Sequence, residues 1–154
     1  MSNFRIIAVA IAVLVLGLNA NAQEKKIKRS DLPPDVEAAV VTQSQGATIR
    51  GFSTEKEKGQ VHYEAELIVN GHHKDILMDS KGDVLEVEEQ VAIDSLPDRV
   101  KSGLQARAGK GKLLEVESLT KHEKLVAYEA QVKTGGKRIE VQVDPEGNPL
   151  SHEE

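Results

Sequence analysis

Val61-His62-Tyr63-Glu64-Ala65-Glu66-Leu67-Ile68-Val69-Asn70-Gly71-His72-His73-Lys74-Asp75-Ile76-Leu77-Met78 reads as a β-hairpin that carries its own register. An Asn-Gly pair between two alternating runs favours a two-residue turn, because both central residues of that turn take positive φ. With Asn70 and Gly71 as the loop, Val69 faces His72, Leu67 faces Lys74, Ala65 faces Ile76 and Tyr63 faces Met78. Opposed residues share a face and successive residues alternate, so Tyr63, Ala65, Leu67, Ile76 and Met78 all fall on one side. That is the pattern of a half-buried antiparallel pair.

A second hairpin obeys the same rule further along the chain. With Gly135-Gly136 as its loop, Val132 faces Ile139, Ala130 faces Val141 and Tyr128 faces Val143. Both hairpins place a Tyr and an Ala inward at corresponding positions. Upstream, Ser30-Asp31-Leu32-Pro33-Pro34-Asp35-Val36 recurs as Asp94-Ser95-Leu96-Pro97-Asp98-Arg99-Val100, and downstream Asp79-Ser80-Lys81-Gly82 recurs as Asp144-Pro145-Glu146-Gly147. Self-similarity of this kind is the signature of a repeat.

Each copy begins with a helix signal. Pro33-Pro34 and Pro97 suit a first helical turn, where the missing N–H costs nothing. Asp35, Glu37 and Asp98 suit the positive end of the helix dipole. Leu32, Val36, Ala39 and Val40, then Leu96, Val100 and Leu104, recur at helical spacing, with Gly46 and Gly109 as stops. Strands near Ala47–Ser53 and Leu113–Leu119 precede the hairpins; a strand at Val84–Glu89 and a shorter one at Leu150 follow them. The sequence thus predicts an α+β fold of two tandem helix-plus-antiparallel-sheet repeats, residues 31–92 and 93–154. A unit of roughly 60 residues is marginal alone, so the halves are expected to share one continuous sheet with both helices on one face.

The ends and the composition bound the function. Arg5, the apolar run Ile6–Leu18 and the small-x-small site ending at Ala22 have the form of a cleaved secretory signal over residues 1–22. The run is short of the roughly 20 residues that a spanning helix needs, so no membrane span is expected after cleavage. Residues 23–30, with Gln23-Glu24-Lys25-Lys26-Ile27-Lys28-Arg29, read as a flexible charged leader. The net charge of −5 argues against nucleic acid as a partner. With no cysteine in an exported chain, no disulfide supplements the core.

The Leu-Pro helix starts, the Tyr-Glu-Ala strands, the glycine turns and the Asp-x-x-Gly loops together resemble the PepSY-like proteins related to β-lactamase inhibitors. The resemblance covers most of Ser30 to Leu150. It implies one antiparallel sheet with helices on one side, export, no catalysis, and binding or restraint of other proteins, often hydrolases. The inhibitors' cysteines are missing here and no inhibitory-loop residue has a counterpart, so the resemblance bears on the fold more than on the activity.

No nucleophile elbow, phosphate-binding glycine loop or zinc spacing is present. His72 and His73 are adjacent and so point to opposite faces. His62 lies about six strand positions from the row of His73, close to 20 Å at roughly 3.3 Å per residue, so the two cannot share a metal. The hairpin register sets His62 beside Asp79 and Glu66 beside Asp75 on the outward face. Opposed like charges destabilise a sheet, so Glu66 and Asp75 call for a basic group nearby or an attracted cation; a solvated face is the plainer reading. Asp79-Ser80-Lys81-Gly82-Asp83 fails as a calcium loop, with Lys81 at a ligand position, and reads as a turn with Gly82 at positive φ. Leu77 and Ile68 are expected outward. No catalytic, cofactor or metal residue is assigned and no cofactor is expected. The expected function is an exported, periplasmic or secreted, non-catalytic module that binds a protein or peptide, as an inhibitor or modulator of a hydrolase or other envelope protein. The alternative is a small-ligand or cation-binding envelope sensor.

Overall fold

The structure, a computed structural model, describes residues 24–152 and 154. The signal sequence expected over residues 1–22 lies outside the described residues. Among those described, no helix is long and apolar enough to cross a membrane.

The Asn70-Gly71 hairpin is present with the register its sequence dictates. Strand β3 (Gln60–Val69) pairs with β4 (His72–Met78) through Val69–His72, Leu67–Lys74, Ala65–Ile76 and Tyr63–Met78. Asn70 and Gly71 both take positive φ, 51° and 86°. The second hairpin, β7 (Lys124–Thr134) with β8 (Lys137–Val143), pairs Val132 with Ile139, Ala130 with Val141 and Tyr128 with Val143. With β1 (Lys25–Ile27), β2 (Thr48–Glu57), β5 (Val84–Gln90) and β6 (Lys112–Lys121), these strands form one open antiparallel sheet of eight strands in strictly sequential order.

Two helices cover one face of that sheet. Helix α1 (Pro34–Gln43) has Pro33 as its N-cap and α2 (Asp98–Ala108) has Pro97, so each proline stands where no helical N–H is required. Val36 and Val40 of α1 pack on Phe52, Ala65, Leu67, Ile76 and Met78. Val100, Leu104 and Ala108 of α2 pack on Val116, Ala130, Val132, Val141 and Val143. Fully burying one such Leu, Met or Val stabilises by about 1.5–3 kcal/mol. The cross-strand pairs Ile76–Val87, Val87–Thr120 and Glu89–Ser118 carry the same face from the first core to the second. Both helices therefore lie on one side and leave the other uncovered.

The chain departs from the sequence expectation in three places. Residues 25–27, read as part of a flexible leader, form edge strand β1 on β2, because Ile27 packs against the first core. The strand expected near Ala47–Ser53 runs on to Glu57, carried to the two-residue turn Lys58-Gly59, both at positive φ. At Leu150 there is no strand; a single bridge joins Val143 to Pro149, since a proline has no N–H to continue a ladder.

Candidate binding face of the sheet

On the helix-free face the same registers line up a different set of side chains. Glu64 and Glu66 on β3, Asp75 on β4, Glu86 and Glu88 on β5, and Glu117 on β6 alternate with the core residues and so point away from the helices. Glu66 stands opposite Asp75, Asp75 opposite Glu88, and Glu117 opposite Glu129 of β7. Leu119 and Ala127 are opposed to each other in this same layer and are 3% and 0% exposed, although neither helix covers them. Their flanking neighbours are acidic: Glu88 lies across from Leu119, with Glu117 and Glu129 two residues along the two strands.

Partial burial of so many carboxyl groups changes their acidity. Desolvation pushes Glu88 up to about 9, reinforced by the charges of Glu117 and Glu86. Loss of water also raises Glu117 to about 7, with Glu115 and Asp75 adding to it. Glu64 is raised to about 7 by burial, although the Ser53 hydroxyl donates to it at 2.9 Å and pulls the other way. Asp75 is raised to about 6 by burial and then by Glu66. Burial lifts Glu86 as well, against the opposing pull of Lys121. Each shift has the same origin, a charged form removed from water.

Cations reach this face at its margins. Lys26 Nζ of β1 lies 3.4 Å from Glu66 Oε1, which supplies the basic group that the Glu66–Asp75 pair called for. Lys121 Nζ lies 3.5 Å from Glu86 and 3.6 Å from Glu154. The backbone N–H of Glu154 donates to Gln142 Oε1 at 2.9 Å, and Gln142 Nε2 donates to Glu129 at 2.6 Å. Side chains from all eight strands, with Glu154, thus form one mostly acidic layer that local hydrogen bonds and ion pairs tie together at its edges.

The histidine expectations resolve differently. His72 and His73 stand at the start of β4, exposed, far along β3 from His62. The β3–β4 ladder ends at Tyr63–Met78, one position short of His62 and Asp79, and Asp79 Oδ1 accepts the N–H groups of Lys81 and Asp83 in the β4–β5 turn. That turn has Gly82 at φ 80°, as its sequence implies. His62 stands opposite Glu55 of β2, with Nδ1 3.6 Å from Glu55 Oε1, and Glu57 completes a group of three possible metal ligands. The sequence pattern ends β2 at Ser53 and so leaves both glutamates outside the sheet. The alternation Ser53, Glu55, Glu57 is the signal that could have placed them. Leu77 and Ile68 lie on the helix-free face as expected, both half-buried.

An open antiparallel sheet with two helices on one face is shared with several solved structures. A candidate periplasmic protein of Bacteroides eggerthii is 17% identical, with a TM-score of 0.64 over 79% of this chain and 88% of that one. A BLIP-like protein of Bacteroides fragilis is 22% identical, TM-score 0.59, over 79% and 86%. A DUF2874-family protein of Bacteroides ovatus is 17% identical, TM-score 0.61, over 79% and 86%. At these identities the likeness is one of fold. No protein-family model matches the chain, and no curated protein matches it.

Proposed function

We propose that this chain is an exported, non-catalytic module that binds a cationic segment of another envelope protein across its helix-free sheet face, as an inhibitor or modulator does. The observation that carries this reading is the layer of Glu64, Asp75, Glu86, Glu88 and Glu117, five carboxyl groups whose acidity is weakened by burial. A bare layer of this kind is held partly protonated at neutral pH. Lys and Arg side chains laid on it restore the charge attraction and displace protons. The BLIP-like fold of the Bacteroides fragilis neighbour and the periplasmic description of the Bacteroides eggerthii one support a periplasmic or secreted binding protein.

We also read the chain as a PepSY-like tandem duplication. In its support, Tyr63 and Ala65 of one hairpin and Tyr128 and Ala130 of the other occupy matching inward positions. The sensor alternative is the weaker reading at Glu66 and Asp75, because Lys26 already takes the place of a cation there.

Photocrosslinking in the native envelope tests the binding face. A crosslinking side chain at Asp75 is expected to capture a specific basic protein, and one at Ala106, exposed on α2, is not. The captured complex should dissociate in about 0.5 M salt, where the Debye length falls to a few ångströms. Capture from Ala106 and not from Asp75, or a complex indifferent to salt, would overturn the proposal.

A further inference from the structure

We propose that Glu55, Glu57 and His62 form a binding site for a divalent transition-metal ion, with Zn2+ the ion that suits the donor set. The inference does not depend on the partner proposed for the sheet face.

The β2–β3 hairpin builds this site. Glu55 and His62 are directly opposed, and Glu57, two residues further along β2, projects from the same face next to the Lys58-Gly59 turn. One donor atom from each of the three lies within 4.8 Å of the other two. Two donors bound at about 2.0–2.1 Å to a tetrahedral ion are about 3.3 Å apart. The His62 Nδ1 to Glu55 Oε1 separation of 3.6 Å is already near that value. Small rotations of the long Glu57 side chain close the remainder.

A second observation is independent of the acidic pair. His62 is 8% exposed, and its Nδ1 is buried with no hydrogen-bond partner. Its contact with Glu55 is too long for a hydrogen bond. A buried polar atom left in this state is destabilising, and a metal ion satisfies it by taking the nitrogen lone pair. That requires the neutral imidazole with its proton on Nε2.

The donor set also selects the ion. Ca2+ and Mg2+ take all-oxygen shells, whereas an imidazole nitrogen with two carboxylates suits zinc and its neighbours. Three protein ligands leave one position for water. Lys58 opposes the ion, since its Nζ lies 2.8 Å from Glu57 Oε1 and must move aside. Both side chains are well exposed, so that displacement costs little.

Titration calorimetry of the full chain with ZnCl2, followed by Co2+ loading read in the visible spectrum, tests the site. One Zn2+ per chain is expected, with ligand-field bands from Co2+ that Zn2+ abolishes. His62→Ala and Glu57→Gln should each weaken affinity by about tenfold or more, and Lys58→Ala should tighten it severalfold. Because Glu57 is exposed, Glu57→Gln keeps the fold and decides the matter even where His62→Ala does not fold. An absence of saturable heat overturns the site. So does Zn2+ binding that is unchanged in Glu57→Gln. Ca2+ displacing Zn2+ at equal concentration would overturn the choice of ion.

Discussion

Glu88 is the carboxyl group with the highest raised value on the sheet, about 9, through burial and the charges around it. Its unfolded counterpart titrates at the ordinary 4.5. Between those two values the native state holds a proton that the unfolded chain has lost, so stability falls as pH rises through that window. Replacing Glu88 with Gln keeps the shape and removes the titration. We expect Glu88→Gln to raise stability at pH 8 by about 1–2 kcal/mol, a tenfold difference in proton affinity being worth about 1.4 kcal/mol, and to change it little at pH 4.5. Urea midpoints at the two pH values measure both. A basic partner pulls in the opposite direction, so its affinity for the face is expected to weaken as pH falls from 8 to 5.

At the scale of elements, the Asp-x-x-Gly loops do more than reverse the chain. Gly82 and Gly147 both have positive φ, 80° and 84°. A Cβ on Gly82 would collide with the Asp35 carbonyl of α1, and one on Gly147 with the Arg99 carbonyl of α2. Each loop is therefore seated against the first turn of a helix and fixes how that helix lies on the sheet. Gly147→Ala combines backbone strain with that collision and is expected to cost on the order of 2–4 kcal/mol, read as a drop in Tm. By contrast, Lys26→Ala should change stability by less than about 0.5 kcal/mol, because the lysine of its ion pair is 74% exposed. Leu67→Ala, at a fully buried position, should cost about 2–5 kcal/mol. A urea series on the two variants compares them.

Elements with strong turn chemistry were legible in the sequence and those without it were not. Asn70-Gly71 and Gly135-Gly136 fix register by themselves, so every inward pair of those hairpins could be written from the letters. The acidic opposition of Glu66 and Asp75 came out of the same register. Lys58-Gly59 is a less marked turn, and the run Thr54-Glu55-Lys56-Glu57 before it is wholly polar, with no apolar alternation to extend β2. The environment of His62 was hidden for that reason. Strand β1 was hidden too, since a single Ile27 among charges gives no period. The raised acidity of the sheet face depends on sums over strands distant in sequence, which no local pattern conveys.

At the scale of the whole molecule, the two cores lie under different halves of the sheet, and β5 and β6 join them. Five residue pairs make that seam, from Glu86–Lys121 to Gln90–Glu117. Glu86, Glu88 and Glu117 all stand on it. Acid stability should therefore follow the raised carboxyl groups. Starting from mildly acidic solution, Tm is expected to fall as pH rises from about 5 to 9, the window set by the raised values of Asp75, Glu64, Glu117 and Glu88. A Tm that climbed steadily over that range would contradict the account of the face. Below pH 4 the trend should reverse, as the lowered carboxylates of Glu57 and Asp144 take up protons.

The sequential order of the strands has a kinetic side. Every strand finds its spatial neighbours in its chain neighbours, so no segment must wait for a distant one before it can pair. Few long loops need closing, which favours rapid folding. A chain delivered N-terminus first, whether from a ribosome or through a membrane pore, can lay down this sheet strand by strand as it emerges. The first helix can then close over a finished half before the second half has arrived.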